Sequence, residues 1–141
     1  MADKIEIENC HPLMSQPEGV QQHKTAGPYS PVLEVDGRRL VVISGQVSID
    51  LEGNVIGSSI EEQTIATLNN CAQKLAAAGC TLADVFKVNI YLADLGQWGL
   101  FNSTYEQLMP RPLPTRTAVQ CVLLPGFIVE IEMWAVKAEE D

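Results

Sequence analysis

The chain is expected to fold as one α+β domain, a mixed and mostly antiparallel sheet with two helices packed on one face. Three observations predict it. Strand-like runs open and close the sequence, only two segments carry helical spacing, and turn signals separate neighbouring strand runs. Helices so few among so many strands fit this layering better than a doubly wound parallel sheet. The length of 141 residues and the 46% hydrophobic composition suffice for a single core without disulfide or metal support.

Residues 1–24 carry Pro12, Pro17 and Gly19 with little periodicity and read as an irregular arm, leaving 25–141 as the domain proper. In "PVLEVDGRRLVVISGQVSI" two strand runs flank Asp36-Gly37, a dipeptide favoured in tight turns, which predicts a β-hairpin. In "SSIEEQTIATLNNCAQKLAAAGC" Ser59 precedes Glu62 by three residues, a capping box. Ile65, Leu68, Ala72 and Leu75 then recur at helical spacing until Gly79 stops the helix. "DVFKVNIYLAD" alternates, placing Phe86, Val88, Ile90 and Leu92 on one face and Lys87, Asn89 and Tyr91 on the other. A second helix fits "QWGLFNSTYEQLM", which the prolines 110, 112 and 114 terminate. Two strands, "TRTAVQCVL" and "FIVEIEMWAV", close the chain around the turn signal Pro125-Gly126, giving the order β-β-α-β-α-β-β.

A formal charge of −9, with nine Lys and Arg scattered along the chain, disfavours a phosphate backbone as partner, so nucleic acid is not expected. Cys10, Cys71, Cys80 and Cys121 form no CxxC pair and no zinc-ligand spacing, so neither metal nor cofactor is expected and the thiols read as small apolar residues. "MADKIEIENC" has no apolar signal segment and no stretch approaches membrane-spanning length, which predicts a cytoplasmic protein without a membrane partner.

One residue stands out in "LPTRTAVQ". Arg116 sits on a half-buried strand, where a charge that cannot be shed requires a carboxylate or phosphate to meet it. Arg116, Ala118 and Gln120 share one face of their strand, as Glu130 and Glu132 share a face of the next. If the Pro125-Gly126 loop joins these strands as a hairpin, Arg116 approaches one of the acids. Two readings then stand side by side: a cross-strand ion pair, or a site in which Arg holds a substrate carboxylate and Glu handles a water. Gly27 and Pro28 set a turn that projects Tyr29, and Gly45, in "SGQ", marks a bulge or the close approach of a ligand. Trp98 reads as core, Asn102 as a solvated helix residue, and His11 and His23 receive no role.

"GPYS" (27–30), "ISGQV" (43–47), "AAAGC" (76–80), "DVFKVNIYLAD" (84–94), "FNSTYEQL" (101–108), "PTRTAV" (114–119) and "LPGFIVEIE" (124–132) occur together, in order. The set resembles the reactive intermediate deaminase family, RidA or YjgF, over about residues 25–137. The resemblance implies a chorismate-mutase-like fold and a homotrimer with a cleft at each subunit interface. It also implies hydrolysis of 2-imino or enamine acids to 2-keto acids and ammonium. It assigns Arg116 to the substrate carboxylate and Glu130 to the water, and places Tyr29, Ser44, Gly45, Trp98 and Asn102 along the cleft. At residue 118 relatives often carry Cys, Thr or Ser, whereas this chain has Ala118, which bears on substrate choice. Two alternatives of other classes are a non-enzymatic binder of small carboxylates and an RNA-cleaving translation inhibitor, the second opposed by the charge. A chorismate-type mutase ranks last, because Arg38, Arg39 and Arg111 lie outside the motif positions.

Overall fold

The computed structural model describes residues 10–24 and 27–139, so the first nine residues of the arm lie outside it. Strand β1 (Met14–Ser15) pairs antiparallel with β2 (Glu34–Val35), Met14 opposite Val35. The arm is therefore tied to the domain, and a side-chain pair adds to the tie. His11 Nε2 lies 3.0 Å from Asp84 Oδ1, while His11 Nδ1 accepts the Leu13 N–H at 3.0 Å.

The hairpin expected at Asp36-Gly37 does not form. The Asp36 N–H donates instead to the carbonyl of Leu13 at 2.9 Å. Gly37 does not take the positive φ that a two-residue type I′ turn requires. It lies against Val136, so close that a Cβ at Gly37 would be 2.5 Å from Val136 Cγ2. The dipeptide thus serves a close backbone approach, and β3 (Arg39–Gln46) pairs elsewhere.

The main sheet has the strand order β3-β6-β4-β5, with β4 at Val85–Leu92, β5 at Thr115–Gln120 and β6 at Val129–Lys137. The β3–β6 and β6–β4 pairs are antiparallel and β4–β5 is parallel. Parallel neighbours need a crossover, which helix α2 (Trp98–Leu108) supplies between β4 and β5. The strands carrying Arg116 and Glu130 are consequently not adjacent, because β4 lies between them. That removes the closing hairpin on which a cross-strand Arg116–Glu130 pair depended.

Helix α1 (Ile60–Ala77) begins at the expected capping box. The Glu62 N–H donates to Ser59 Oγ at 3.1 Å, and the Ser59 N–H to Glu62 Oε1 at 3.4 Å. Just beyond its end, Gly79 has φ +80°, the left-handed conformation that suits glycine. The inner faces of α1 and α2 contribute Leu68, Cys71, Leu75, Phe101 and Tyr105 to a core completed by Val88, Ile90, Leu92, Val129, Ile131 and Met133. A register shift between Val85 and Lys87 turns Val85 into this core and leaves Phe86 only half-buried, against the simple alternation expected for β4. Burial pushes the Cys71 thiol up to about 12, and among the described residues all four cysteines are free.

Candidate functional site

Because Arg116 stands opposite Val88, and Val88 is a core residue, Arg116 points toward the helices. There its guanidinium meets three aromatic rings, with Cζ 4.8 Å from the centroid of Trp98, 5.0 Å from Tyr105 and 5.5 Å from Tyr29. Nη1 donates to Asn102 Oδ1 at 2.8 Å. Nη2 is buried and has no hydrogen-bond partner, and among the described residues no carboxylate forms an ion pair with this arginine. Burial lowers its pKa from the usual arginine value, an effect partly opposed by Tyr105, Tyr29 and Glu106. An arginine starts so far above neutrality that it stays charged. The result is a desolvated cation whose negative counterpart is not supplied by any of the described residues.

Local sequence explains the cage. Ser30 donates its hydroxyl to the Leu113 carbonyl and its N–H to Pro114 O at 3.1 Å, so "GPYS" is fastened to the residues that lead into β5. Tyr29 is thereby held over Arg116. A Cβ at Gly27 would lie 2.8 Å from Arg116 Nη2, so a side chain there would push the guanidinium from its place. On α2, Trp98, Asn102 and Tyr105 follow the i, i+4, i+7 spacing that puts them on one face. Trp98, read from the sequence as core, packs against the core while also facing the guanidinium, and Asn102, read as solvated, bonds to it. Tyr105 is a component that sequence reasoning missed, although the same spacing signalled it. Its ring is fully buried, its hydroxyl has no partner, and burial raises its pKa.

Ala118, two residues along β5 on the same face, has only a methyl group with which to fill the space beside it. It forms, with Leu95 and Trp98, a cleft of about 300 Å³. Gln120, next on that face, accepts the Leu95 N–H at 2.8 Å and holds the 3₁₀ turn Leu95–Gln97 in place.

Glu130 belongs to the other face of the sheet. Its neighbours Val129 and Ile131 are fully buried, and its partner across the strands is Tyr91, so its carboxylate lies on the side away from the helices. Gly45 meets it there, at a bulge between Ile43 and Gln46 that also includes Ser44, and a Cβ on Gly45 would fall 2.5 Å from Glu130 Oε2. The two acids of β6 are not equivalent. Glu132 accepts from Tyr91 OH at 2.7 Å and from Asn89 Nδ2 at 3.0 Å, and this carboxylate acceptor raises the Tyr91 pKa. Glu130 makes no hydrogen bond among the described residues, so its carboxylate is available to a water.

The sequence-predicted residues therefore fall into two groups. Tyr29, Trp98, Asn102, Arg116 and Ala118 gather between sheet and helix, whereas Ser44, Gly45 and Glu130 gather on the opposite face. Among the described residues no cluster of three or more His, Cys, Asp and Glu is arranged to hold a metal ion.

Comparison with known proteins gives consistent results. The family model described as endoribonuclease L-PSP matches residues 20–137. The chain is 39% identical over 113 residues to a mouse 2-iminobutanoate/2-iminopropanoate deaminase, covering 79% of this chain and 82% of the relative. It is 36% identical over 115 residues to the mitochondrial protein mmf2 of Schizosaccharomyces pombe, covering 79% and 89%. Among solved structures, an endoribonuclease-type protein from Thermotoga maritima superposes with TM-score 0.67 at 33% identity, covering 82% of this chain and 91% of that one.

Proposed function

We propose, from the premise that this chain belongs to the RidA/YjgF family of endoribonuclease L-PSP-type proteins, that it is a metal-independent hydrolase of 2-imino and enamine acids. Its products are 2-keto acids and ammonium, as the names of its deaminase relatives suggest for small members of that class. The observation that carries the proposal is Arg116, a buried guanidinium with one edge unpartnered and no carboxylate paired with it among the described residues. A planar carboxylate fits such a fork through charge-assisted hydrogen bonds.

The chemistry needs little more than orientation and a base. A 2-iminium acid is already electrophilic at its C2 carbon, and Arg116 fixes the carboxylate end and so the face presented to water. As the water oxygen bonds to C2, Glu130 takes its proton and the C=N π pair moves to nitrogen, giving a tetrahedral carbinolamine. The proton held by Glu130 passes to the amino nitrogen. Ammonia leaves as the hydroxyl oxygen gives up its proton and the C=O bond forms, and the freed proton leaves with it as ammonium.

One chain cannot bring these two groups together, since the sheet itself separates them. A closed homotrimer, in which the Glu130 face of one copy meets the Arg116 edge of the next, would complete a cleft at each interface. The exposed apolar residues Leu40, Val42 and Val119 on that face favour such a cover. The endoribonuclease description of the family suggests a second reading, which the charge of −9 opposes.

The test compares Arg116→Ala, Arg116→Lys and Glu130→Gln by calorimetry with a small 2-keto acid and by turnover of imine generated in situ, with and without EDTA. Both arginine variants should lose product binding and turnover. Glu130→Gln should keep binding while its rate falls by about 10²- to 10⁴-fold, and chelator should change nothing. A wild-type protein that binds the keto acid but does not turn over the imine is a binder. Salt-dependent RNA binding without imine turnover would favour the nucleic-acid reading.

A further inference from the structure

The cleft beside Arg116 bears on which imino acid is used. Its three walls are Leu95, Trp98 and Ala118, none of which offers a hydrogen bond to a ligand carbon chain except through the indole N–H. Its volume of about 300 Å³ stands at the lower end of the range of small-molecule sites, about 300–1,000 Å³. The walls are held from outside the cleft. Trp98 stacks on Phe101 with ring centroids 6.0 Å apart and an interplanar angle of 21°, and its face also receives the Arg116 guanidinium. The Leu95 backbone is bonded to Gln120, and Asp94 Oδ1 accepts the Gly96 N–H at 2.8 Å, which fastens the same turn. Ala118 is one pleat repeat from Arg116, about 6.6 Å along the strand, and in a 2-imino acid the side chain starts at the carbon next to the one bearing the carboxylate. A substrate whose carboxylate meets Arg116 thus has its side chain within reach of the cleft.

We propose that this cleft is the subsite for the substrate side chain, and that with alanine at residue 118 it selects 2-imino acids bearing a branched aliphatic or aromatic group over those bearing a methyl. The inference rests on the deaminase reading above and adds the substrate class to it. Volume and polarity decide the selection. A side chain of threonine size at 118 would occupy the space beside Trp98 and bring a hydroxyl to it, whereas the methyl of Ala118 leaves a mostly apolar recess that suits an apolar group. In hydrophobic pockets a single methylene changes kcat/KM by about 10- to 200-fold, so an isobutyl group should gain at least about tenfold over a methyl. Trp98 and Leu95 set the width and Gln120 acts as a positioning residue that holds Leu95.

The experiment measures the ratio of kcat/KM for the imine generated from leucine to that for the imine generated from alanine, in the wild type, Ala118→Thr and Leu95→Ala. A ratio taken on one sample is independent of the fraction folded, so a partly misfolded variant still reports. The wild-type ratio should exceed about 10. Ala118→Thr should lower it about tenfold or more through the leucine-derived arm, and Leu95→Ala should lower it in the same arm. Calorimetry should rank 4-methyl-2-oxopentanoate above pyruvate in the wild type and reverse or level that order in Ala118→Thr. A wild-type ratio near one, or a ratio unmoved by Ala118→Thr and Leu95→Ala, overturns the subsite while leaving the deaminase intact. A change in oligomeric state on Ala118→Thr with an unchanged ratio overturns it too, because the cleft is then filled by a neighbouring copy. Absence of imine turnover in the wild type overturns the underlying function instead.

Discussion

A guanidinium on a strand between sheet and helix is held there by contacts that neutralise none of its charge. Three rings and one amide oxygen surround Arg116, and a cation over an aromatic face gains about 0.5–2 kcal/mol per contact. That compensates part of the desolvation that lowers its pKa, and a ligand carboxylate would supply what is lacking. Glycine matters as much as charge at this scale. At Gly45 any side chain competes for the position of the Glu130 carboxylate, 2.5 Å from the would-be Cβ. Gly45→Val should therefore displace that carboxylate and lower kcat by about 10²-fold or more if Glu130 is the base, with keto-acid binding retained. Unchanged turnover in this variant would show that the Glu130 position is immaterial.

Among the elements, α1 carries no side chain of either group, yet it holds the backbone that presents them. Its buried Gln63 donates to Gly57 O at 3.2 Å and to Gly126 O at 2.8 Å and accepts the Ile128 N–H at 2.9 Å. It so tethers the connection that leads into Glu130. Asn70 donates to the carbonyls of Val47 and Ile49 at 2.8 and 2.9 Å and fixes the exit of β3 just beyond Ser44 and Gly45. Gln63 and Asn70 are clamps, and removing one leaves backbone groups unpaired. Gln63→Leu should cost about 1–3 kcal/mol in denaturant unfolding, more than the roughly 1 kcal/mol expected for loss of the Ser59 cap in Ser59→Ala. It should also lower turnover, whereas Ser59→Ala should leave it alone. Equal effects of the two variants on turnover would argue against a tether.

For the whole molecule, the chorismate-mutase-like α+β sheet puts Arg116, the proposed carboxylate anchor, and Glu130, the proposed base, on opposite faces. Assembly is therefore part of the proposed mechanism, and subunit mixing tests it directly. Arg116→Ala and Glu130→Gln, each inactive alone, should regain activity when co-refolded. In a cyclic trimer with random mixing, about a quarter of all clefts unite an intact Arg116 with an intact Glu130, so the rate should approach that fraction of the wild type. No recovery, in mixtures shown by mass spectrometry to contain both chains, would mean that each site lies within one chain.

Much was legible from the sequence alone, because it is encoded by local chemistry. The capping box at Ser59 and Glu62, the stop at Gly79, the two helices and the alternation of most of β4 depend on neighbours within a few residues. Period-two geometry likewise put Arg116 with Ala118, and Glu130 with Glu132, on common faces. Strand order is decided by contacts remote in sequence, and there local signals failed. Asp36-Gly37 has the composition of a hairpin turn, but the Leu13 carbonyl and the Val136 side chain claim its backbone. Pro125-Gly126 reads as a turn between paired strands, but the crossover through α2 sets β5 parallel to β4 and leaves β4 between β5 and β6. Periodicity says which residues share a face of a strand; only tertiary packing says which strand lies beside it and which face meets the helices. That is why Arg116 and Glu130 were recognisable as residues, while their separation by the thickness of a sheet was a matter for the fold.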